Sequence, residues 1–465
     1  MSPIHSSYQT AIFSDPDSSK RIDGVAGCGK TYVLVELAKS LQPDGNYVFL
    51  AFNKTIAEEL KSRLPYYVHA STFHALGRSL LPSFRLRKFR TSDFFKDMVD
   101  NKTYFANFKN VTTVVSSWKN SMPTAEVNPI DLADCIDQID LDCDNEADLL
   151  QWCSEIIVQS ADYSNGCDFD DMLWLPVVNN LPFPKVDRLF VDEAQDLNLI
   201  QHEFIQRCLH SDSQLTIVGD PFQAIYGFRG ADTESLDKLT TRFALKHFPL
   251  SITYRCPTAI VTEAKPLVPH LESAPDAASG QVRKLGSTWS PDSFPNAAAI
   301  LCRNHAPLVM LALRLLSAGR PFSYAGRDLG SGLEKIVRSF RADDMIEYKT
   351  KLDFWRDKKL VSAKTRAKQG VIEDKHQVLS ILSGGCTTPS EILTKIDQIF
   401  LPNKNALILS TIHRAKGLEW NNVFILNEFL LPSKYAKTEA ELQQENNLRY
   451  VAITRSKENL TYISI

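Results

Sequence analysis

Residues 24–31 read Gly24-Val25-Ala26-Gly27-Cys28-Gly29-Lys30-Thr31 and match the pattern G-x-x-x-x-G-K-[ST] at every fixed position. Glycines in such a loop let successive backbone N–H groups point into one concavity, where they can hold a phosphate. Lys30 adds positive charge for the β- and γ-phosphates, and Thr31 offers a hydroxyl to Mg²⁺. The stretch therefore predicts a phosphate-binding loop followed by a helix from Thr31, whose positive dipole end faces the anion. A Gly-rich turn without function is the alternative, because short motifs also arise by chance.

Composition limits the classes of protein to consider. A chain of 465 residues exceeds what one hydrophobic core usually serves, so we expect two to four domains. No apolar run of about 18 residues is present and no basic start precedes an apolar segment, so we expect an intracellular protein without membrane contact or signal peptide. The compartment would be cytoplasmic in a bacterium or phage and nuclear in a eukaryote. Net charge is −3, so any nucleic-acid contact must come from local basic patches.

Cysteine usage indicates reduced thiols. The chain has nine cysteines, and four of them, Cys135, Cys143, Cys153 and Cys167, match no familiar zinc spacing. We therefore interpret them as reduced intracellular thiols, with a metal cluster as the alternative.

Strand-like and helix-like segments alternate in the first eighty residues. Residues 47–52 (YVFLAF) suit a buried strand, and another begins at Val68. Residues 20–23 (KRID), which precede the loop, are too polar for a typical buried parallel strand, so we expect a short strand or one at a sheet edge. Gln9 could donate to and accept from adenine, although a surface glutamine is the alternative. The alternation predicts an α/β fold with a parallel sheet.

Two segments combine basic and aromatic residues. The run at 84–90 (FRLRKFR) suits a single strand of nucleic acid, with a solvated helix face as the alternative. The segment 349–370 places eight basic residues around Phe354 and Trp355, with the same two interpretations. Acidic residues between 131 and 148 alternate with apolar ones, which predicts an amphipathic helix with a solvated face.

Two further strands end in polar residues. Residues 188–196 (RLFVDEAQD) place Asp192 to hold Mg²⁺ and Glu193 to act as the base that polarises water. An acidic helix N-cap is the alternative for this pair. Residues 214–231 end in a segment where Gln223 could sense the γ-phosphate and where Tyr226 and Phe228, near Arg229, could stack on bases. Aromatic pairs are more often part of a core.

The ordered motifs resemble the UvrD/Rep/PcrA family of superfamily 1 DNA helicases over nearly the whole chain. The wording is closest to the F-box DNA helicase branch and small phage relatives. The matching segments are the loop at 24–31, AFNK at 51–54, TFHALG at 72–77, VDEAQD at 191–196, GDPFQAIYGFRGA at 219–231, TYR at 253–255, TIHRAKGLEW at 411–420 and YVAITR at 450–455. Residues 169–172 (FDDM) are similar to the family's F-D-D-L element.

The resemblance implies two RecA-like parallel-sheet domains of the P-loop NTPase type, each interrupted by a mainly helical insertion. Domain 1A would take residues 1–80 and 166–250, and domain 2A residues 251–328 and 401–465. Insertion 1B would be 81–165, and a shortened insertion 2B would be 329–400. Asn446 and Asn447 replace two arginines common in relatives. We expect no F-box before Gly24 and no fused nuclease after Arg455.

The resemblance also implies roles for single residues. Gln9 and Tyr254 would contact adenine, Glu419 the ribose, and Thr31 with Asp192 the Mg²⁺. Catalysis would use Glu193 as base, Gln223 as γ-phosphate sensor, and Arg255 and Arg455 as arginine fingers. The ATP site would contain Gln9, Gly24, Gly27, Cys28, Gly29, Lys30, Thr31, Tyr254, Arg255, Glu419 and Arg455. DNA would contact Thr72, Phe73, His74, Tyr226, Phe228, Arg229 and His413.

These roles predict an ATP- and Mg²⁺-dependent translocase on single-stranded DNA that unwinds tailed duplex DNA with 3′→5′ polarity, in replication, repair or recombination. The polarity follows from the resemblance alone, and the loading partner is unknown. A P-loop kinase is one rival, but it would leave the second half unexplained. An ATP-gated single-stranded DNA-binding protein, or an antirecombinase that strips proteins from DNA without unwinding, is the other.

Overall fold

Two consecutive α/β units make up the chain in the computed structural model, Met1–Ser251 and Ile252–Ile465. The structure describes residues 5–139, 145–225, 234–363, 365–401, 403 and 406–465. Each unit contains a six-stranded sheet whose paired neighbours run parallel. The predicted α/β class with two parallel-sheet domains is therefore confirmed. The bounds of the four predicted domains stay predictions.

The sheet of unit 1 has the strand order β3-β2-β4-β5-β1-β6. Its strands are β1 (Lys20–Gly24), β2 (Tyr47–Ala51), β3 (Val68–Thr72), β4 (Val186–Val191), β5 (Leu209–Gly219) and β6 (Lys246–Leu250). The expectation that β1 lies at an edge is wrong, because β5 and β6 pair with it on both sides. Its polar side chains have local partners: the Lys20 ammonium donates to Ser18 O at 2.8 Å, and Arg21 Nε donates to Asp23 Oδ1 at 2.8 Å.

Eleven helices are described in unit 1, within the ranges given above. They are α1 (Ser7–Phe13), α2 (Lys30–Lys39), α3 (Lys54–Arg63), α4 (Phe73–Leu80), α5 (Arg90–Met98), α6 (Asn101–Ser121), α7 (Pro129–Ile139), α8 (Glu146–Ser160), α9 (Asp171–Val178), α10 (Leu199–Cys208) and α11 (Ser235–Phe243). Helices α5–α8 fall within the predicted first insertion. The acidic stretch lies on two helices, α7 and α8, rather than on one, and residues 140–144 are outside the described part.

The first insertion shares a core with the sheet of unit 1. Val111 and Trp118 of α6 belong to the same buried cluster as Val191 of β4 and Leu215 of β5. A buried charge network adds to this contact. Arg90 Nη1 donates to Asp171 Oδ2 at 2.7 Å, and Lys119 Nζ lies 2.7 Å from Asp171 Oδ1. Asp171 is completely buried, and two cations from the insertion, Arg90 and Lys119, compensate its charge.

The sheet of unit 2 has the strand order β11-β12-β10-β13-β14-β9, and β7 pairs separately with β8. The strands are β7 (Ile252–Thr253), β8 (Glu272–Ser273), β9 (Gln281–Gly286), β10 (Ala299–Cys302), β11 (Phe322–Tyr324), β12 (Leu407–Thr411), β13 (Trp420–Leu426) and β14 (Ser456–Ile463). The central strand β10 is completely buried, as expected for a parallel strand covered on both faces.

The helices described in unit 2 include four in the predicted second insertion, α14–α17. The full set is α12 (Thr258–Ala264), α13 (His305–Ser317), α14 (Arg327–Phe340), α15 (Met345–Ser362), α16 (Arg366–Ser383), α17 (Pro389–Phe400), α18 (Ile412–Ala415) and α19 (Glu439–Ile453). Leu352, Leu379 and Ile396 of the insertion belong to the same core cluster as Leu409 of β12. Within the described ranges, no helix is both long and apolar enough to cross a membrane.

Candidate functional site

The phosphate loop connects β1 directly to α2. Gly27 and Gly29 have φ angles of 74° and 83°, in the left-handed region that glycine adopts at little cost. Gly29 is the N-cap of α2, which begins at Lys30, one residue earlier than predicted. At Gly24, an added Cβ would lie 2.7 Å from both Cys28 Sγ and Lys30 Cγ, so any larger residue would displace these side chains. Burial raises the pKa of the Cys28 thiol to about 12, so Cys28 contributes backbone rather than a reactive thiolate.

Lys30 is a half-buried cation next to three carboxylates. Its Nζ donates to Gly24 O at 3.4 Å. Burial opposes the charge on Lys30, but Glu193, Asp220 and Asp192 outweigh it and raise the pKa above its usual value. The loop therefore presents a permanent positive charge, as a bound phosphate requires.

Thr31 and Asp192 lie together where a divalent cation would fit. Thr31 Oγ1 donates to Asp192 Oδ2 at 3.0 Å, and Asp192 is 2 % exposed. Burial and the adjacent Glu193 raise the pKa of Asp192 to about 6. A cation would offset this electrostatic cost, and hydroxyl and carboxylate oxygens are the ligands Mg²⁺ prefers. The donor set thus fits Mg²⁺.

Glu193 follows β4 in a strained backbone conformation. Its φ and ψ are 53° and 40°, a left-handed conformation that costs a non-glycine residue energy. The backbone N of Glu193 donates to Asp192 Oδ1 at 2.8 Å. This bond fixes the turn between the two adjacent carboxylates.

Gln195 joins two motifs that the sequence analysis treated separately. Its Nε2 donates to Glu193 Oε2 at 2.5 Å, and its Oε1 accepts from Asp220 N at 3.0 Å. Gln195 is 3 % exposed, so this amide is fixed in both directions. The sequence analysis gave Gln195 no function. The only signal was its place two residues after Glu193, at the end of a strand.

Asp220 is a second residue that the sequence analysis missed. It follows β5, is 1 % exposed, and its Oδ2 accepts from Gln223 Nε2 at 2.5 Å. Burial raises the pKa of Asp220, while the nearby Lys30 opposes that increase. Gln223, the predicted γ-phosphate sensor, is therefore oriented by a carboxylate that also faces the phosphate loop.

Gln9 lies on α1 within a capping box. Its Oε1 accepts from Ser6 N at 3.0 Å, and its own backbone N donates to Ser6 Oγ at 3.2 Å. The ring of His5, which precedes α1, lies 4.8 Å from Phe13 of α1 and 6.3 Å from Tyr32 of α2. The adenine contact stays a prediction, and it would fall to the amide nitrogen of Gln9.

Three of the predicted site residues of unit 2 follow one another closely in space. Tyr254 is 52 % exposed directly after β7, which suits a stacking ring. The Arg255 Nε lies 2.7 Å from Glu419 Oε2, and Lys457 Nζ lies 3.4 Å from Glu419 Oε1. The structure thus pairs a predicted arginine finger with the predicted ribose ligand. A contact of Arg255 or of Glu419 with nucleotide would require the ion pair between them to open or to include the nucleotide as a third partner.

Arg455 is buried, with 1 % of its surface exposed. Its Nε donates to Val451 O at 3.1 Å, and its Nη1 donates to Leu418 O at 3.2 Å. These carbonyls fix the guanidinium within unit 2. Its function as an arginine finger stays a prediction.

The predicted DNA contacts at residues 72–74 differ in exposure. Thr72 caps α4, where its Oγ1 accepts from Ala75 N at 3.1 Å. Phe73 is 2 % exposed and packs against Phe204 with ring centroids 6.4 Å apart, so only its backbone is available to a strand. His74 is half-buried, and burial lowers its pKa, with Asp170 opposing the shift. A neutral imidazole at this position is a hydrogen-bonding group rather than a cation.

The remaining predicted DNA contacts are Tyr226, Phe228, Arg229 and His413. The first three lie outside the described residues, so their placement is not described. His413 is half-buried on the short helix α18, which follows β12. None of these contacts is tested by the geometry.

Comparison with protein families matches both units. Residues 6–244 match the UvrD/REP helicase N-terminal domain, and residues 389–465 match the UvrD-like helicase C-terminal domain. The first match covers the phosphate loop, the carboxylates Asp192 and Glu193, and Gln223. The second covers Glu419 and Arg455.

Curated relatives agree with these matches. F-box DNA helicase protein 1 of Schizosaccharomyces pombe is 24% identical over 96% of this chain and 55% of its own length. A probable DNA helicase of Mycoplasma pneumoniae is 24% identical over 95% of this chain and 79% of its own. ATP-dependent DNA helicase Rep of Escherichia coli is 27% identical over 53% of this chain and 41% of its own. The chain thus spans about half the length of the first of these relatives. The resemblance inferred from the motifs is confirmed, and the chain belongs to the UvrD/REP helicase family.

Proposed function

We propose that this chain is an ATP- and Mg²⁺-dependent translocase on single-stranded DNA that unwinds tailed duplex DNA with 3′→5′ polarity. One observation carries the ATPase part of the proposal. The strands β4, β5 and β1 are neighbours in the sheet, and their carboxyl ends bring Glu193, Asp220 and Lys30 together along the carboxyl-terminal edge of the sheet. Ligands of open parallel sheets bind at this edge. Family membership supports the helicase part, and the polarity rests on the resemblance alone.

The residues of unit 1 suit the hydrolysis of a nucleoside triphosphate. Backbone N–H groups of the glycine loop and the charge of Lys30 would bind the phosphates. The Glu193 carboxylate, held by Gln195 at 2.5 Å, would accept the proton of the attacking water. When bound by Thr31 and Asp192, Mg²⁺ would neutralise phosphate charge. Gln223 would respond to the γ-phosphate.

The arginines of unit 2 would complete the site during turnover. We propose that Arg255 and Arg455 stabilise the charge that develops on the transferred phosphate. Repeated binding and hydrolysis of ATP would alternate the hold of the two units on the strand. The proposed DNA contacts are residues 72–74, Tyr226, Phe228, Arg229 and His413. Action in replication, repair or recombination would follow, and DNA as substrate implies an intracellular location.

Strand displacement on tailed duplexes tests this proposal. We expect ATP and Mg²⁺ to release the displaced strand from a duplex with a 3′ single-stranded tail and not from one with a 5′ tail. A Glu193→Gln variant serves as the control for hydrolysis. Release from the 5′-tailed duplex alone would overturn the polarity. DNA-stimulated ATPase without any strand release would favour the ATP-gated DNA-binding or protein-stripping alternative.

A further inference from the structure

Residues 84–89 of the basic and aromatic run form a connection between α4 and α5, and only the last residue of the run, Arg90, lies on a helix. Residues 81–89 are non-helical, and Leu86 forms a parallel bridge with Cys167. Arg87 N donates to Cys167 O at 2.8 Å, and Cys167 N donates to Arg85 O at 2.9 Å. The alternative of a solvated helix face is therefore wrong for this run. We call residues 84–89 the basic loop.

The backbone of the basic loop is held in place from both sides. Gly166 has φ of 90°, and a Cβ on it would lie 2.9 Å from Arg85 O, so this close approach requires glycine. At the end of the loop, Arg90 is completely buried and donates to Ser160 O at 3.0 Å and to Asp171 at 2.7 Å. Side chains between these anchors are consequently presented by a fixed backbone, which lowers the entropy lost on binding a ligand.

Apolar and aromatic groups of the basic loop are exposed. Phe89 is 66 % exposed and Leu86 is 49 % exposed. The Lys88 Nζ lies 5.6 Å from the centre of the Phe89 ring, and the Arg78 guanidinium lies 4.7 Å from the Phe84 ring. An exposed ring with a cation beside it offers a flat apolar face and a positive charge at the same place.

Two acidic neighbours of this region are already paired with cations. Residues 78–90 contain five basic residues and no acidic one. Asp93 lies 3.2 Å from Arg87, and Asp171 is bound by Arg90 and Lys119. Within the described residues, no ion pair involves Arg85 or Lys88. The exposed side of the loop therefore carries uncompensated positive charge.

We infer that the basic loop binds a single strand of DNA, with Phe89 stacking on a base and Arg85 and Lys88 contacting phosphates. Base faces are accessible in a single strand and hidden in a duplex, so an exposed ring beside cations fits the single strand. Helix α4 connects the predicted contacts at 72–74 to this loop. Its eight residues span about 12 Å, which is a few nucleotides of strand. The inference rests on the proposed function and extends the DNA path onto the first insertion.

Equilibrium binding without ATP tests the inference. The probe is a fluorescent oligo-dT, and its anisotropy is measured in a series of salt concentrations. The plot of log affinity against log salt has a negative slope, and each phosphate contact contributes about −0.7 to it. Arg85→Ala/Lys88→Ala should therefore make the slope less steep by about 1.4. The matched control is Lys61→Ala/Lys265→Ala, which removes two exposed charges on other surfaces and should leave the slope unchanged.

A second variant tests stacking without changing charge. Phe89→Leu keeps an apolar side chain and should weaken oligo-dT binding by roughly 5-fold or more at an unchanged salt slope. An abasic oligonucleotide of the same length should remove this difference between variant and wild type. Circular dichroism spectra of all variants should match the wild type, because the changed side chains are exposed. Their DNA-free ATPase rates should also match, because none of these residues belongs to the nucleotide site.

The outcomes separate this inference from the proposed function. If wild type binds oligo-dT and the variants keep its slope and affinity, the inference is overturned and the translocase proposal stands. An equal loss of slope in the control pair would also overturn it, since the effect would be non-specific. If wild type fails to bind oligo-dT at all, both are overturned.

Discussion

Removal of the Gln195 amide should slow ATP turnover while nucleotide binding is retained. Of the residues proposed to bind the nucleotide, the hydrogen bonds of Gln195 in the described part of the chain reach Glu193, whose Oε2 accepts from Nε2 at 2.5 Å. Nε2 also lies 3.3 Å from Asp196 Oδ2, and Oε1 accepts from Asp220 N at 3.0 Å. Gln195→Ala therefore removes the donor that orients the Glu193 carboxylate. It also removes the acceptor of the buried backbone N–H of Asp220.

The size of the effect follows from these bonds. A hydrogen bond to a charged group contributes about 1.5–3 kcal/mol. Each 1.36 kcal/mol added to the barrier slows the reaction tenfold. If the whole contribution of the Gln195–Glu193 bond is lost in the transition state, kcat should fall by about 10- to 160-fold. KM for ATP should stay close to the wild-type value, because Lys30 and the glycine loop are unchanged.

Steady-state ATPase assays at saturating oligo-dT measure both constants. Gln201→Ala is the matched control: Gln201 is also a glutamine of unit 1, and its Oε1 accepts from Asn198 N at 2.9 Å to cap α10. That variant should lose some stability and keep its kcat. The reasoning is refuted if kcat is unchanged in Gln195→Ala or falls to the same extent in Gln201→Ala.

Other substitutions address the remaining residues of the site. Glu193→Gln should keep ATP binding and lose most hydrolysis, whereas Lys30→Ala should weaken binding of ATP measured at equilibrium; wild-type turnover in the first or wild-type affinity in the second would assign these functions elsewhere. Asp192→Asn should raise the Tm of the metal-free protein, because it removes a charge whose burial raises the pKa to about 6, and should abolish Mg²⁺-dependent turnover. A lower Tm would mean that the carboxylate stabilises the loop. Arg255→Ala and Arg455→Ala should each lower kcat on the order of 10³-fold while DNA still binds, and unchanged turnover would remove that arginine from the site.

The phosphate loop and the strand-end carboxylates could be predicted because their signals are local. The conformation of Gly29 and the placement of Lys30 depend on a few neighbouring residues, and the pattern G-x-x-x-x-G-K-[ST] records them. Asp192 and Glu193 likewise follow an apolar strand directly. In parallel sheets such positions share one edge, so their convergence follows from the architecture.

Contacts between strand ends could not be predicted in the same way. Gln195 reaches Asp220 only because β4 and β5 are neighbours, and strand order is not written in the local pattern. The buried network around Asp171 was missed for a related reason. Arg90 ends the basic run at 84–90, whose composition suits a segment that binds a nucleic-acid strand or a solvated helix face, and Lys119 is an isolated cation whose partners lie about 50 residues further along the chain.

The contacts between the second insertion and the rest of unit 2 could not be predicted from the hydrophobic pattern. Its helices share the core of unit 2, and Asp374 of α16 accepts from His305 N and Ala306 N, both at 2.9 Å, at the start of α13. An acidic residue on a helix reads from sequence as solvated. Here it satisfies backbone donors of another helix, which a pattern along one segment cannot reveal.

The position of β1 has a consequence for synthesis of the protein. Lys20 aligns with Thr216 and Lys246, so the strand that carries the phosphate loop is made first but meets its neighbours only after nearly all of unit 1. At ribosomal speed this interval is on the order of ten seconds or more. An apolar strand left unpaired for so long would invite pairing with other chains, and the charges of Lys20, Arg21 and Asp23 discourage it. We expect β1 of ribosome-stalled chains ending before β5 to be cut by proteases, and protection there would contradict this account. We therefore expect the polar composition that argued against a buried strand to limit aggregation of the nascent chain until β5 and β6 emerge.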